Sequence, residues 1–278
     1  MRRKRTVKPN RYRSVGIAMF FVVSAIAAIA VVAAEWRSSV TGVELHIRGV
    51  RITTVQDIRA AVGFSDSSRL ADLDLLAIRE RIMRNPYVRD VDVMRDPPER
   101  LIVEVKERVP ITMLVNTQGR DWLVDEHGYV LPMAKVIAGY DVPLLTGMTP
   151  SREIRVGSRI IDRKVQRALQ VLRAMRGMDK TLWTMFSEIN ISRDRDVLLY
   201  TLEAGVPVIL GPPQRIEEKL LAFRAFWENV AMKLDPSSLE YVDLRWKDQV
   251  VTRRRGTPMP DDMAASDSTA VDSVAVQL

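Results

Sequence analysis

The sequence predicts an α+β fold carried behind one apolar N-terminal helix. Three observations predict it: a twenty-residue apolar run at 15–34, a segment from Thr41 to Glu107 in which two-residue alternation brackets two helical stripes, and a strand-rich remainder interrupted by two amphipathic helices. At 278 residues the chain has room for one or two domains with real cores.

The run VGIAMFFVVSAIAAIAVVAA holds eighteen apolar side chains, one Gly and one Ser. At about 1.5 Å of rise per residue it covers about 30 Å, the thickness of a bilayer core. A cleaved secretory signal is the competing reading, with small residues near Ala28 and Ala30 as a cleavage site. The run is longer than the apolar part of a signal, however, and continues past those alanines. Residues 1–14 form a basic tail in which Arg2, Arg3, Lys4, Arg5, Lys8, Arg11 and Arg13 meet no acid, and only Glu35, Trp36 and Arg37 directly follow the run. By the positive-inside rule the tail stays in the cytoplasm, and the body from about residue 38 lies outside. No second run of comparable length follows, so a single pass is expected.

Residues 41–108 read as strand, helix, helix, strand, strand. Val43, Leu45 and Ile47 alternate with Glu44, His46 and Arg48, the period of a strand with one buried face. Gly49 permits a turn. Thr54 and Asp57 resemble a capping box, and Val55, Ile58 and Val62 stripe a short helix ending at Gly63. After a polar loop through Asp66, Ser67 and Ser68, the residues Leu75, Ile78 and Ile82 stripe a second helix. That helix stops at Asn85-Pro86, because the residue before proline is pushed out of the α region. Tyr87 to Met94 alternates again, Asp96-Pro97-Pro98-Glu99 turns the chain, and Leu101, Val103 and Val105 alternate with Ile102, Glu104 and Lys106. The product is a small sheet with two helices on one face and charge on the other; periodicity leaves open whether the charged face is solvated or docks a partner.

Residues 109–255 form the second part. Short strands are expected around Ile111 to Val115, Trp122 to Val124 and Tyr129 to Leu131, joined by turns at Gln118-Gly119 and Glu126-His127-Gly128. Val165, Ala168, Leu169, Leu172 and Met175 mark a helix ending near Gly177. Strands at Val197 to Glu203 and Val206 to Leu210 precede a long stripe of Ile216, Leu220, Phe223, Trp227 and Val230. A last strand begins near Leu239 and runs through Trp246, with a continuation toward Val250 and Val251. Residues 256–278, with four acids and no base, cannot bury enough apolar area to order themselves and read as a disordered acidic tail.

Composition removes many functions. Absence of cysteine excludes disulfide frameworks, thiol catalysis and cysteine-ligated metal sites. The two histidines, His46 and His127, lack any pattern of neighbouring ligands and read as ordinary surface residues, so no metal and no cofactor is expected. There is no phosphate-cradling glycine motif and no recognisable Ser, His and Asp set. The formal charge of +7 equals the seven bases ahead of the apolar run, so no basic face for nucleic acid is implied.

Several stretches carry a family likeness. Asn85-Pro86-Tyr87-Val88, Asp96 through Leu101, and Val105-Lys106-Glu107-Arg108-Val109-Pro110 resemble the polypeptide-transport-associated (POTRA) domain of the bacterial division protein family FtsQ/DivIB. Leu123 through Val130, Pro143 through Gly147 and Tyr241-Val242-Asp243-Leu244-Arg245-Trp246 are similar to later signatures of the same family. Tyr87 departs from it, since members commonly carry Trp after that proline. The resemblance implies a POTRA domain followed by a mixed α/β FtsQ β domain with an exposed edge strand. It implies a non-enzymatic scaffold at the division septum of the cell inner membrane, binding an FtsB–FtsL pair and linking it to the septal peptidoglycan synthase. By the same resemblance Trp246 falls at an aromatic position associated with FtsB contact, within a partner-binding set of Tyr241, Asp243, Leu244, Arg245, Trp246, Asp248, Gln249 and Val250. The residues leave open whether Trp246 packs in the core beside Val242 and Leu244 instead. Pro86, Tyr87, Glu107, Arg108 and Pro110 read as a structural junction, with Tyr87 packing where helix passes into strand. Two other classes compete: a POTRA-containing outer-membrane assembly or secretion component, and an anchored cell-wall enzyme.

Overall fold

The computed structural model describes residues 11–39, 42–64, 68–115, 121–133, 141–148, 154–192 and 196–256. The start of the basic tail, the loop at Asp66 and Ser67, the Gln118-Gly119 turn and the acidic tail from Thr257 lie outside the described residues. Helix α1 (Arg11–Ser39) is a single helix of 29 residues. Its side chains are described at Gly16 and over 18–33, all of them exposed. Over the described residues no helix is long and apolar enough to cross a membrane.

The chain divides into two compact units, one comprising residues 1–84 and 90–106, the other residues 85–89 and 107–278. The first holds β1 (Glu44–Arg48), α2 (Val55–Val62), a single 3₁₀ turn at Leu70–Asp72, α3 (Leu75–Met83) and the main length of β2 (Val88–Asp96) and β3 (Arg100–Glu107). The sheet order is β1-β3-β2, with β1 parallel to β3. α2 starts where the Asp57 N–H donates to the Thr54 hydroxyl (3.0 Å) and the Thr54 N–H donates back to the Asp57 carboxylate (3.2 Å). The shorter acid thus closes the expected box, and the Thr54 hydroxyl and N–H hold the Asp57 carboxyl below its ordinary range. Gly63 ends the helix in the left-handed region at φ 62°. α3 is capped by Asp74, which accepts from the N–H groups of Leu76 and Ala77, and it stops before Asn85-Pro86 as expected.

Ile58, Val62, Ile78 and Ile82 from the helices and Val91, Leu101, Val103 and Val105 from the strands are buried, each worth about 1.5–3 kcal/mol relative to exposure. Gly49 sits at φ +85° with an added Cβ only 2.0 Å from the Val105 carbonyl oxygen, so no other residue fits there. On the opposite sheet face the register sets Glu44 across from Arg100 and Arg48 across from Glu104. Arg100 also lies 3.0 Å from Asp96, and Lys106 lies 3.1 Å from Asp92. The face therefore answers its own charges, although exposed pairs of this kind add little stability.

The second unit is built on a nine-stranded sheet, counted over the described residues. Its strands are β4 (Pro110–Val115), β5 (Asp121–Asp125), β6 (Val130–Leu131), β7 (Leu144–Thr146), β8 (Phe186–Asn190), β9 (Val197–Thr201), β10 (Pro207–Gly211), β11 (Leu239–Asp243) and β12 (Val251–Arg254). They stand in the order β12-β11-β10-β9-β8-β7-β4-β5-β6. β10/β11, β4/β7 and β7/β8 are parallel and the remaining neighbours antiparallel. α4 (Arg163–Met178), the short α5 (Lys180–Thr184) and α6 (Ile216–Phe226) contribute to one continuous apolar core with the sheet. At its centre Phe223 packs against Phe186 and Trp227, with ring centroids 4.9 and 5.3 Å away.

Three features differ from the sequence reading. α6 passes into a π turn at Trp227–Ala231, whose extra residue moves the buried position from Val230 to Ala231. α5 and β8 escaped the periodicity, because five-residue elements are too short to show one. The late strand is two strands: β11 ends at Asp243 and the chain returns as β12. The Asp243 carboxylate enforces the break by accepting from the Arg245 N–H (2.9 Å) and its Nε (3.0 Å), and Asp248 turns the chain at φ 58°.

Candidate functional site

The two ends of the nine-stranded sheet are finished differently. At β6 the Val130 N–H donates to the Ser158 carbonyl (2.9 Å), its carbonyl accepts from the Gly157 N–H (2.8 Å), and Tyr129 bridges Arg159. That edge is closed by the chain itself. At the other end β11 is internal, lying between β10 and β12, so the exposed edge is β12 and not the strand carrying Tyr241 and Asp243. The Arg255 N–H donates to the Ser238 carbonyl (2.9 Å), which makes the facing residues Leu239 and Arg254 a non-hydrogen-bonded pair. Alternation then turns the N–H and C=O of Thr252 and Arg254 away from β11, and no described strand lies beyond them.

The expected partner-binding residues sort by environment. Trp246 is 54% exposed, which removes the core alternative, and Arg245, Asp248 and Gln249 are exposed beside it. Tyr241 is half-buried, and burial raises the pKa of its hydroxyl. Asp243 is buried under Arg245, whose guanidinium reaches it at 2.6 Å and lies 3.7 Å from Asp196; the hydrogen bond to Asp243 raises the arginine pKa. Leu244 and Val250 are buried in the core.

Beside Trp246 lies a groove of about 450 Å³ between α6 and the turn into β12, lined by Leu221, Ala222, Ala225, Leu244, Asp248 and Gln249 with Arg215, Glu218 and Lys219. Lys219 is only 6% exposed; its Nζ donates to the carbonyls of Leu210 (2.7 Å) and Pro212 (3.2 Å), and burial lowers its pKa. It ties α6 to the end of β10. The sequence reading passed over Lys219, although its place three residues after Ile216 and four before Phe223 put a charge in the apolar stripe. At Gly211 (φ +73°) an added Cβ would come 2.7 Å from Arg245 Cγ, so glycine there lets the arginine reach Asp243.

The junction residues surround a second polar cluster. Tyr87 is buried, its carbonyl accepts from the Arg108 N–H (2.7 Å), and its hydroxyl donates to the Pro132 carbonyl. Tyr87 itself belongs to the second unit, so this anchor lies within that unit. Arg108 meets Asp125 at 2.8 Å, with side chains 12% and 2% exposed, and its guanidinium carbon stands 3.6 Å over the Tyr129 ring. Asp125 also accepts from the N–H groups of His127 (2.9 Å) and Tyr129 (2.8 Å). Pro86 sits in the turn after α3, Glu107 ends β3, and Pro110 opens β4 as a buried residue. Among the described residues no group of three His, Asp or Glu side chains is placed to hold a metal ion.

Comparison with known proteins assigns both units. Residues 43–108 match the FtsQ-type POTRA domain, and residues 113–245 match the C-terminal domain of cell division protein FtsQ/DivIB. The chain is 30% identical over 239 residues to the cell division protein FtsQ of Rhodothermus marinus, covering 84% of this chain and 85% of that protein. It is 26% identical over 246 residues to FtsQ of Salinibacter ruber, covering 84% and 90%, and 25% identical over 210 residues to FtsQ of a Geobacter species, covering 76% and 74%. The chain belongs to the FtsQ/DivIB family. It is accordingly a non-enzymatic scaffold of cell division, which sets aside the cell-wall enzyme and the outer-membrane component. The FtsQ/DivIB C-terminal match ends at Arg245, so Trp246, Asp248, Gln249 and Val250 lie just past it.

Proposed function

We propose that this FtsQ/DivIB protein holds an FtsB–FtsL pair at the septum by adding a strand of the partner to β12, and so links the pair to the septal peptidoglycan synthase. The observation that carries this reading is the open edge: Thr252 and Arg254 point unpaired backbone groups outward at the one sheet end that no described segment covers. Main-chain hydrogen bonds then give affinity, and Trp246, Asp248, Gln249 and the neighbouring groove give selectivity. Tyr241 pairs with Arg253 across the hairpin, and Arg245 holds the buried Asp243 carboxylate.

Residues 15–34 within α1 are the proposed single-pass anchor in the cell inner membrane, in contact with lipid. Support comes from the apolar run, which extends past the side chains described at 18–33, and from their exposure, as at Phe20, Ile29 and Val32. The basic residues 1–14 then lie in the cytoplasm, with the POTRA domain (41–108) and the β domain (109–255) outside it.

The test is co-purification of the full chain with the FtsB–FtsL pair. Arg254→Pro removes an outward N–H and leaves the β11–β12 ladder intact, so it is expected to weaken capture at least tenfold, as is Trp246→Glu. Undiminished capture by both variants would sink strand addition at β12.

A further inference from the structure

We propose that α4 and the loop leading into it dock on an anionic phospholipid surface, through an outward basic face flanked by two exposed aliphatic side chains. The choice of occupant rests on the reading that residues 15–34 anchor the chain and so keep a bilayer within reach. Residues 38–255 carry 34 bases and 30 acids. The short stretch 155–178 holds seven of those bases against one acid, Asp162, leaving 27 bases and 29 acids elsewhere. The near balance of the body thus conceals one strongly basic face. Its single acid is committed to capping α4, accepting from the N–H groups of Lys164 (2.8 Å) and Val165 (3.2 Å).

Helix stability does not account for these bases. Arg163 and Lys164 open α4, with no acid in its first turn, at the end where the helix dipole disfavours positive charge. Arg163 and Arg167, four residues apart, add like-charge repulsion. Val165, Ala168, Leu169, Leu172 and Met175 are buried, so the opposite stripe faces outward: Arg163, Gln170 and Arg173 are exposed, with Arg167 half-buried among them. The fold holds charge here with neutral acceptors, since Arg159 donates to the His127 carbonyl (2.9 Å) and Arg173 to the Glu126 carbonyl (2.8 Å). Ahead of the helix the loop is pinned by main-chain hydrogen bonds, from the Gly157 N–H to Val130, from the Val130 N–H to Ser158 and from the Ile160 N–H to Gly128. Ile160 turns into the core, while Val156 and Ile161, on either side of the pinned stretch, stand 44% and 73% exposed. A headgroup layer pairs phosphate with guanidinium and takes aliphatic side chains toward the hydrocarbon beneath. An acidic protein would answer the charge alone; the two bare aliphatics at its margin favour lipid.

The chain lacks cysteine, so a fluorophore on Gln170→Cys reports from the middle of the face, and one on Glu203→Cys, in the exposed turn after β9, serves as the reference. The full chain is placed in nanodiscs of phosphatidylcholine, with or without phosphatidylglycerol as about one-third of the lipid, each carrying nitroxide-headgroup lipid as quencher. Quenching at residue 170 is expected to be at least about twofold greater in the anionic discs and to vanish in about 0.5 M salt, with residue 203 unchanged. Arg163→Gln/Arg173→Gln should lower the ratio of docked to free protein about 25-fold, about fivefold for each base. Ile161→Ser, which removes no charge, should lower it at least about threefold. All three substitutions fall at exposed positions, and urea midpoints check that the fold is kept. Equal quenching in the two kinds of disc overturns the proposal. Capture of a soluble polyglutamate peptide in neutral discs, lost in the double variant and with no lipid quenching in anionic ones, also overturns it and assigns the face to an acidic protein. If the chain does not insert into discs, the anchor reading fails by itself. The face is then judged by sedimentation of the same chain with phosphatidylglycerol vesicles: weakening in both variants supports the proposal, and equal sedimentation overturns it.

Discussion

Replacing Arg108 with alanine should cost the second unit about 3–5 kcal/mol, the range found when one member of a buried ion pair is removed. The structure supplies the parts. Arg108→Ala loses a charge-assisted hydrogen bond to Asp125 at 2.8 Å, worth about 1.5–3 kcal/mol, and a guanidinium stacked 3.6 Å over Tyr129, worth about 0.5–2 kcal/mol. It also strands a carboxylate that is 2% exposed, which among the described residues then keeps the N–H groups of His127 and Tyr129. Urea unfolding followed by tryptophan fluorescence is the assay, since Trp122, Trp183, Trp227 and Trp246 all lie in this unit. Asp125→Ala should be as damaging, and the double variant should lose much less than the two single losses added together. Arg108→Lys keeps the charge without the planar fork and should fall between. Single losses below about 1 kcal/mol, or losses that simply add, would refute the idea that the pair acts as one buried unit.

The other expected outcomes are more local. Gly49→Ala should destabilise the first unit by about 2 kcal/mol or more, read as faster exchange of the β1 and β3 amides, because the new Cβ meets the Val105 carbonyl at 2.0 Å. Phe223→Ala should lower stability by about 3–5 kcal/mol, whereas Trp246→Ala, at an exposed site, should lower it by less than about 1 kcal/mol while weakening capture of the FtsB–FtsL pair; both are read by urea titration and co-purification. Asp57, Asp90 and Asp179 are held below their ordinary pKa, by Thr54, by Arg79 and by the Thr181 N–H respectively. A carboxyl depressed in the folded state stabilises above its unfolded pKa of about 4 and loses that contribution as pH falls through the lower, folded value. Thermal stability should therefore drop as pH falls below about 4, and Asp57→Asn should flatten the drop.

How much of this was legible follows from how local each signal is. The POTRA unit could be read nearly element by element, because its strands alternate cleanly and its helix ends carry their own chemistry: Thr54 with Asp57, Gly63, and Pro86. The strands of the second unit were legible where they were apolar, as at Ile111 to Val115, and lost where they were short, as at Phe186–Asn190. The late hairpin was misjudged because its break is not local in origin. Asp243 and Arg245 look like ordinary members of an alternating strand until the carboxylate folds back on the residue two further on. Trp246 was undecidable for the same reason, since its exposure follows from where that turn places it. Lys219 and the groove beside it arise from the meeting of α6 with β10, which lie apart in the chain.

The form of β12 also bears on what can use it. An open edge normally invites pairing with any copy of itself, and proteins blunt that hazard with short strands and charge. β12 has four residues, ends in Arg253 and Arg254, and is followed by Arg255. Two copies approaching antiparallel would bring these arginine runs together on one short ladder, with too few hydrogen bonds gained to offset the repulsion. At the far end, β6 has two residues and is covered by residues 157–160. A sheet closed at one end and guarded by like charge at the other is poorly suited to growth by self-association. It suits a single added strand whose charge and side chains answer Arg254, Trp246 and the groove, which is what a scaffold requires of the edge it presents.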